Sequence, residues 1–358
     1  MRILITGGAG FIGSAVVRFL AGLPEVSVIN VDKMTYAGSV EALARLDRRA
    51  NYVWEDVDIC EPAALDAVFR EHQPDMVMNL AAETHVDRSI SDSAAFIRTN
   101  VQGTHALLEV SLRHWQAMDS RRRNAFRFLQ VSTDEVYGAL GSTGAFTEST
   151  PYAPNSPYSA SKAGADHLVR AWLRTYGLPV LITNSSNNYG PWQHPEKLIP
   201  QSIIRGFRGL PIPIYGGGEN IRDWLFVEDH AEALVVVLMR GRVGETYNIG
   251  GGVEKRNLDV VSEICGLLDQ MVPEVYSRSE LIEFVPDRPG HDFRYALSTE
   301  KVRRELGWQP RTGFTEGMRK TVDWYLRNQG WWRLRDRACG DHEDLPLTNA
   351  DAREWGMP

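Results

Sequence analysis

The sequence contains little cysteine and no long apolar run. Its three cysteines, Cys60, Cys265 and Cys339, lie far apart and lack the spacing of metal ligands, so we expect no disulfide framework, no metal site and a reducing, cytoplasmic compartment. No apolar stretch approaches the roughly 18 residues of a membrane-spanning helix. The opening residues, which predict a strand from Arg2, do not fit a signal peptide.

The chain also lacks an excess of positive charge. Lys and Arg number 39 against 46 Asp and Glu, for a net charge of −7. The one basic cluster, Arg121–Arg123, has no interleaved aromatic residue, so we interpret it as a solvated loop. We therefore expect a small-molecule substrate as the partner, with no nucleic acid and no membrane.

What the sequence does contain is an alternation of apolar strand and helix patterns. This alternation predicts an α/β fold, a Rossmann-type doubly wound parallel sheet with a smaller C-terminal substrate-binding lobe. Strands are predicted at 2–6, 26–31, 52–54, 76–80, 126–131, 180–183 and 246–249. Helices are predicted at 11–20, 40–46, 63–71, 94–116, 158–176 and 229–238.

The rhythm changes after about residue 187, where prolines interrupt short segments. We predict a first domain of residues 1–187 with about 222–250 returning to it, a second lobe of 188–221 and 251–332, and a C-terminal tail of 333–358. The tail prediction rests on the polar, aperiodic sequence after residue 340.

A glycine-rich loop, Gly7-Gly8-Ala9-Gly10-Phe11-Ile12-Gly13, joins the first strand to the first helix. In this context it predicts a dinucleotide site, with the pyrophosphate at the helix N-terminus. Asp32 follows Gly13 by 19 residues, ends the second strand, and would bond the adenine ribose and repel a 2′-phosphate. It favours NAD over NADP, and Lys33 opposes this more weakly. Asp58, Ile59 and the Leu80–Ala82 segment either contact the cofactor or only pack beside it.

A second group of residues suggests the chemistry. Tyr158 and Lys162 are four apart and share a helix face, so the ammonium would stabilise the phenolate. Thr133, Asp134 and Glu135 follow a predicted buried strand. A tyrosine with a nicotinamide oxidises an alcohol, and an acid with a base removes water. Taken alone, Tyr158 and Lys162 could mark an exposed helix face, and Asp134-Glu135 could be a helix cap or a solvated loop.

These residues carry a family resemblance. Thr6–Gly13 with Tyr158 and Lys162 resembles the extended short-chain dehydrogenases/reductases of the NAD-dependent epimerase/dehydratase family. Further ordered motifs resemble the 4,6-dehydratase branch of that family, at 32–38, 83–89, 132–138, 186–191, 195–200, 222–224 and 287–291. The resemblance extends from residue 1 to about 332. Thr84 stands where serine is more frequent, and Phe293 where arginine is usual.

The resemblance implies dTDP-glucose as substrate, tightly bound NAD as cofactor, a homodimer and a role in deoxysugar biosynthesis. Tyr158 would deprotonate the C4 hydroxyl with help from Thr133, Glu135 would take the C5 proton, and Asp134 would protonate the departing C6 hydroxyl. Besides the glycine loop and the positions above, it implies cofactor contacts at Thr35, Thr99 and Asn188. It implies substrate contacts at Thr84, Thr133, Asn187, Asn188, Lys197, Leu198, Pro213, Ile214, Tyr215, Arg222, Asn257, Asp287, Arg288, His291 and Tyr295.

Several alternatives share the fold. A sugar-nucleotide 4-epimerase needs no acid–base pair after Thr133, so Asp134-Glu135 argues against it. A GDP-mannose dehydratase or UDP-glucuronate decarboxylase typically lacks the preceding aspartate. A catalytically inactive, NAD-sensing regulatory protein would not be expected to keep Thr133, Asp134, Glu135, Tyr158 and Lys162 together.

Overall fold

The structure, a computed structural model, describes residues 1–46, 48–287 and 289–338, the last three by their backbone only. Its strands are β1 (Arg2–Thr6), β2 (Ser27–Val31), β3 (Tyr52–Glu55), β4 (Met76–Asn79), β5 (Arg127–Thr133), β6 (Val180–Ser185), β7 (Asn187–Tyr189), β8 (Ile212–Tyr215), β9 (Ile221–Phe226), β10 (Thr246–Ile249), β11 (Glu254–Arg256) and β12 (Ile282–Val285). Its α-helices are α1 (Phe11–Ala21), α2 (Pro62–His72), α3 (Val86–Ser91), α4 (Ala94–Phe96), α5 (Thr104–Ala117), α6 (Ser120–Ala125), α7 (Pro157–Tyr176), α8 (Leu198–Arg208), α9 (Val227–Arg240), α10 (Asn257–Met271), α11 (Glu300–Leu306), α12 (Phe314–Arg327) and α13 (Gln329–Ala338). Within the described residues, no helix has the length and apolar character that spanning a membrane requires.

A seven-stranded parallel sheet forms the centre of the molecule, in the order β10-β6-β5-β4-β1-β2-β3. The predicted Rossmann-type doubly wound fold is confirmed. β1 lies between β2 and β4, so the strand order reverses there. The carboxyl ends of β1 and β4 thus flank the crevice in which sheets of this kind bind ligands.

Helices cover both faces of the sheet because alternate strand residues are apolar on both sides. Ile3 and Ile5 of β1 are buried against one layer, which includes α1 and α9. Leu4, between them, is buried against the other layer, which includes α2, α5 and α7. Because successive side chains of a strand point to opposite faces of the sheet, this one short strand contributes to two cores.

A second lobe is built from smaller sheets and their helices. β11, β9 and β7 form a three-stranded sheet, and β12 pairs with β8 in parallel. Residues Ile203, Trp224, Met318, Trp331 and Trp332 are buried together in the core that α8 and α12 share. The last helix, α13, continues past residue 332 to Ala338, whereas Cys339 and the rest of the predicted tail lie outside the described residues.

Three local predictions differ from the structure in detail. Residues 40–46 form turns instead of a helix. The predicted 94–116 helix is interrupted by a π-helical segment, Ile97–Gly103. The basic run lies in α6, where Arg122 pairs with Asp75 at 2.9 Å instead of being fully solvated. Each outcome depends on tertiary neighbours, which periodicity does not report.

Candidate active site

Two adjoining cavities lie at the carboxyl end of the sheet and between the two lobes. The first follows the glycine loop and the ends of the central strands. The second lies among β8, α8 and the loop after β12. Five residues line both cavities and mark their junction: Thr84, Glu135, Asn187, Glu196 and Lys197. We call the first the cofactor cavity and the second the substrate cavity.

All of the residues predicted to contact the cofactor line the first cavity. They are Gly7, Gly10, Phe11, Ile12, Gly13, Asp32, Lys33, Thr35, Asp58, Ile59, Leu80, Ala81, Ala82, Thr99, Tyr158, Lys162 and Asn188. Their contacts with a cofactor stay predictions, but the fold gathers all of them around one space.

The glycine loop has the shape that a dinucleotide needs. Gly7 adopts a φ of +71°, and a Cβ on it would lie 2.6 Å from the Ala81 backbone nitrogen. A Cβ on Gly13 would lie 2.0 Å from the Gly7 carbonyl oxygen. α1 begins at Phe11, so free N–H groups of its first turn face the loop. This cradle fits the pyrophosphate of NAD.

Asp32 is held in place by the backbone. Its Oδ2 accepts a hydrogen bond from the Ala9 N–H, and its Oδ1 accepts one from the Met34 N–H, both at 2.9 Å. Lys33, by contrast, directs its Nζ to Asp58 Oδ2 at 3.2 Å. Its charge is therefore engaged by a carboxylate, which weakens the one feature of the sequence that favoured NADP.

We expect Asp32→Ala to lose roughly 10- to 100-fold of its preference for NAD over NADP, because a charged hydrogen-bond partner contributes about 1.5–3 kcal/mol. Dissociation constants for both dinucleotides measure this preference. Lys33→Ala is the matched control and should change the ratio little, since Asp58 already engages that lysine. An unchanged ratio in Asp32→Ala would show that Asp32 does not read the ribose.

The π-helical segment contributes a supporting residue, Asn100, that sequence reasoning missed. Asn100 accepts a hydrogen bond from the Glu83 N–H at 2.8 Å and donates one to the Ser161 hydroxyl at 2.8 Å. It thereby ties the segment after β4 to α7 beside Lys162. Nothing in the local pattern distinguishes this asparagine. Insertion of an extra residue per turn is frequent near functional sites.

Glu196 was also missed, although it lies within the quoted 195–200 motif. Its carboxylate lies 3.3 Å from the Tyr36 hydroxyl, 3.4 Å from His85 Nε2 and 3.6 Å from the Arg88 guanidinium. These partners connect the loop after β2 with the segment before α8. Its position next to Lys197 in that motif could have indicated a residue of the site.

Asp134 and Glu135 begin a short 3₁₀ turn, Asp134–Tyr137, directly after β5. Asp134 is 2% exposed, and its Oδ2 has no hydrogen-bond partner within the described part of the chain. Burial, the Glu135 carboxylate and Asp223 raise the pKa of Asp134 well above its usual range. Asp134 is therefore suited to be protonated and Glu135, which is more exposed, to be ionised. These are the protonation states that a general acid and a general base require.

Tyr158 and Lys162 lie on α7, whose N-terminus carries a Ser156–Ser159 capping box. Burial, followed by the Glu135 charge, raises the pKa of Tyr158, whereas its hydrogen bond with Thr133 opposes the rise. Lys162 donates from Nζ to the Val131 carbonyl oxygen at 2.8 Å. This contact places the ammonium at the end of β5, one helical turn from Tyr158, and its stabilisation of the phenolate stays a prediction.

The substrate cavity gathers most of the residues predicted to contact substrate. It is lined by Thr84, Asn187, Lys197, Leu198, Pro213, Ile214, Tyr215, Arg222, Asn257, His291 and Tyr295, whereas Thr133 and Asn188 line the cofactor cavity. Asp287 lines neither cavity but contacts His291 at 2.6 Å, and Arg288 lies outside the described residues.

Arg222 supplies the substrate cavity with a buried positive charge. Its guanidinium donates to the Asp292 carbonyl at 2.9 Å and lies 4.4 Å from the centre of the Tyr295 ring. Tyr215, which also lines this cavity, is 45% exposed, and its ring meets the His291 ring edge-on at 6.2 Å. Phe293 is 46% exposed, and its backbone carbonyl accepts the Ile221 N–H, so this departure from the family leaves the strand contact intact.

Comparisons with known proteins agree with this geometry. The family model of GDP-mannose 4,6 dehydratase matches residues 4–321. The dTDP-glucose 4,6-dehydratase of Neisseria meningitidis serogroup B is 58% identical over 93% of this chain and 95% of its own. A structure of the Streptomyces venezuelae dTDP-glucose 4,6-dehydratase DesIV with NAD and TYD bound is 44% identical, with a TM-score of 0.86 over 94% of this chain and 100% of that one. The Bacillus anthracis dTDP-glucose 4,6-dehydratase in complex with NAD is also 44% identical, with a TM-score of 0.83 over 94% and 99%. From the length of these matches and the shared fold, the chain belongs to the GDP-mannose 4,6 dehydratase family.

Proposed function

We propose that this protein converts dTDP-glucose to dTDP-4-keto-6-deoxy-glucose with tightly bound NAD, as a hydro-lyase of deoxysugar biosynthesis. The observation that carries the proposal is the arrangement of Tyr158, Asp134 and Glu135 at the end of β5 and on α7, where the cofactor cavity meets the substrate cavity. The relatives named dTDP-glucose 4,6-dehydratase support the choice of substrate.

The glycine loop, Asp32 and Lys162 would hold NAD, which supplies the hydride acceptor for oxidation at C4 and the hydride donor for reduction at C6. Tyr158 takes the proton of the C4 hydroxyl, and Thr133, which is hydrogen-bonded to Tyr158, favours the phenolate. The resulting 4-ketone acidifies the hydrogen at C5, so oxidation prepares elimination.

Elimination uses the two carboxyls in opposite protonation states. Glu135 lines both cavities and takes the C5 proton as general base. Asp134, whose burial favours the neutral form, gives its proton to the C6 hydroxyl, which leaves as water. Glu135 then returns a proton to C5 as C6 is reduced.

Other reactions of this family use the same tyrosine and cofactor. A 4-epimerase has no use for a neutral carboxylic acid aimed into the site, so the buried Asp134 argues against epimerisation. An inactive NAD-sensing protein would not need an acid and a base beside the tyrosine. Neither alternative accounts for the acid–base pair.

One incubation tests the proposal. The purified protein is mixed with dTDP-glucose, without added NAD, and the product is assayed by the alkali-induced absorbance of a 4-keto sugar nucleotide. We expect multiple turnovers, since hydride leaves and returns within one cycle. A requirement for stoichiometric NAD, or the formation of a 4-epimer, would contradict it.

We also propose a cytoplasmic homodimer. Support for two-fold pairing comes from the adjacent helical segments 94–117 and 157–176, which resemble the pairing helices of this fold class, and from Ile97, which is 46% exposed there. A mass twice that of the chain is expected by light scattering at micromolar concentration, and a monomeric mass would refute the dimer. Unpaired Cys60 and Cys265 fit a reducing compartment.

A further inference from the structure

One buried carboxyl close to the site has no part in the proposed reaction. Asp166 lies on α7 one turn after Lys162, and its exposed fraction is 0%. Lys162 is also buried, at 4%. Residues four apart on a helix lie on the same face, so the two charges act on each other along this face without a direct ion pair.

Both side chains are anchored to consecutive residues of β5. Lys162 Nζ donates to the Val131 carbonyl at 2.8 Å, and the Ser132 hydroxyl donates to Asp166 Oδ2 at 2.7 Å. The Tyr152 hydroxyl donates to the same oxygen at 3.1 Å. Two hydroxyl donors on Oδ2 favour the ionised carboxylate, which accepts hydrogen bonds only, whereas Oδ1 is buried without a partner among the described residues.

The electrostatics of the pair are reciprocal. Burial lowers the pKa of Lys162, and the Asp166 charge opposes this. Burial raises the pKa of Asp166, and the Lys162 charge opposes that. An isolated buried ammonium is costly, and a nearby carboxylate reduces that cost.

Other titratable groups surround the pair. Arg170 lies one turn further along α7 and donates to the Tyr152 hydroxyl at 2.9 Å. Tyr137, of the 3₁₀ turn, bonds Asn184 at 2.7 Å, and Asn184 in turn contacts Tyr152. Glu148 contacts the Asn248 N–H at 3.0 Å on the far side of this network. Tyr158 lies one turn before Lys162 on the same helix.

We propose that Asp166 is a positioning residue that acts through Lys162: its buried carboxylate keeps the lysine charged, so that the ammonium is available to the tyrosine and to the cofactor. The role of this lysine in catalysis rests on the proposed function, but its charge can be measured without any reaction. Asp166 contacts neither cavity and therefore acts only through its neighbour.

Competitive labelling of lysines with trace acetic anhydride, read by peptide mass spectrometry across pH, gives the pKa of Lys162 directly. We expect Asp166→Asn, which keeps the side-chain shape, to lower this pKa by about 1–3 pH units. Tyr152→Phe keeps the carboxylate and removes one of its donors, so it should produce a smaller change in the same direction. Glu109→Gln, on α5, is the matched control for loss of a carboxylate and should have no effect.

A second readout is the pH profile of nicotinamide reduction after mixing with dTDP-glucose. The high-pH limb should move down by the same interval in Asp166→Asn, because the lysine loses its proton earlier. A lower rate with an unmoved limb and an unchanged Lys162 pKa would reduce Asp166 to a structural residue and overturn the proposal. If Asp166→Asn does not fold, Asp166→Ser, which is smaller and also uncharged, decides: an unchanged Lys162 pKa there also overturns the proposal. If the protein does not dehydrate dTDP-glucose, the proposed function fails, but the labelling experiment still shows whether Asp166 raises the pKa of Lys162.

Discussion

Glu135→Gln is expected to oxidise the sugar and then stall. The variant keeps the shape of the side chain at the junction of the two cavities and loses the base that takes the C5 proton. Oxidation at C4 depends on Tyr158 and not on Glu135, so bound NADH should accumulate after mixing with dTDP-glucose. Water loss should slow by roughly 10²–10⁴, the usual contribution of a general base. Nicotinamide absorbance in stopped flow follows the first step, and product assay follows the second.

Asp134→Asn is the matched comparison, because it removes the acid and leaves the base. Both variants should accumulate NADH, but only Asp134→Asn should exchange deuterium at C5 of the substrate with solvent. Elimination by Glu135→Gln at the wild-type rate would show that the carboxyl is not the base. Equal C5 exchange in both variants would contradict the division of roles between the carboxyls.

Tyr158→Phe should lose the first hydride transfer by a comparable factor. Burial and the Glu135 charge raise the pKa of this tyrosine, and the Thr133 hydrogen bond opposes that rise and favours the phenolate. Without the hydroxyl, no base lies at that position, and bound NAD should stay oxidised after substrate is added. The rate of nicotinamide reduction in a single turnover measures the loss.

Tyr176→Phe serves as the control for this substitution. Tyr176 ends the same helix, is 48% exposed and lines neither cavity, so its hydroxyl should not affect the reaction. Rapid NADH formation in Tyr158→Phe would assign the base to another group. A loss of activity in both variants would indicate damage to α7 instead of loss of a catalytic hydroxyl.

Several features of the fold were predictable from the sequence because they depend on local order. Apolar runs such as Ile3–Ile5 need burial on both faces, which only a covered parallel sheet provides. The glycine loop needs a strand before it and a helix after it, and both follow directly in the chain. The Tyr158–Lys162 spacing fixes a shared helix face. For these positions the chain neighbours decide the geometry.

Other features were decided only when distant segments met. The π-helical segment that brings Asn100 between Glu83 and Ser161, and the contacts of Glu196 with Tyr36, His85 and Arg88, join residues far apart in the chain. The protonation of the site is likewise tertiary, because the pKa values of Asp134, Tyr158 and Lys162 depend first on burial and then on charges brought close by folding. The sequence by itself determined the glycine loop, the Thr133–Glu135 segment and the Tyr158–Lys162 pair, together with the strands and helices that carry them. Tertiary structure alone decided which of those groups are charged, because water is excluded only once both lobes enclose them.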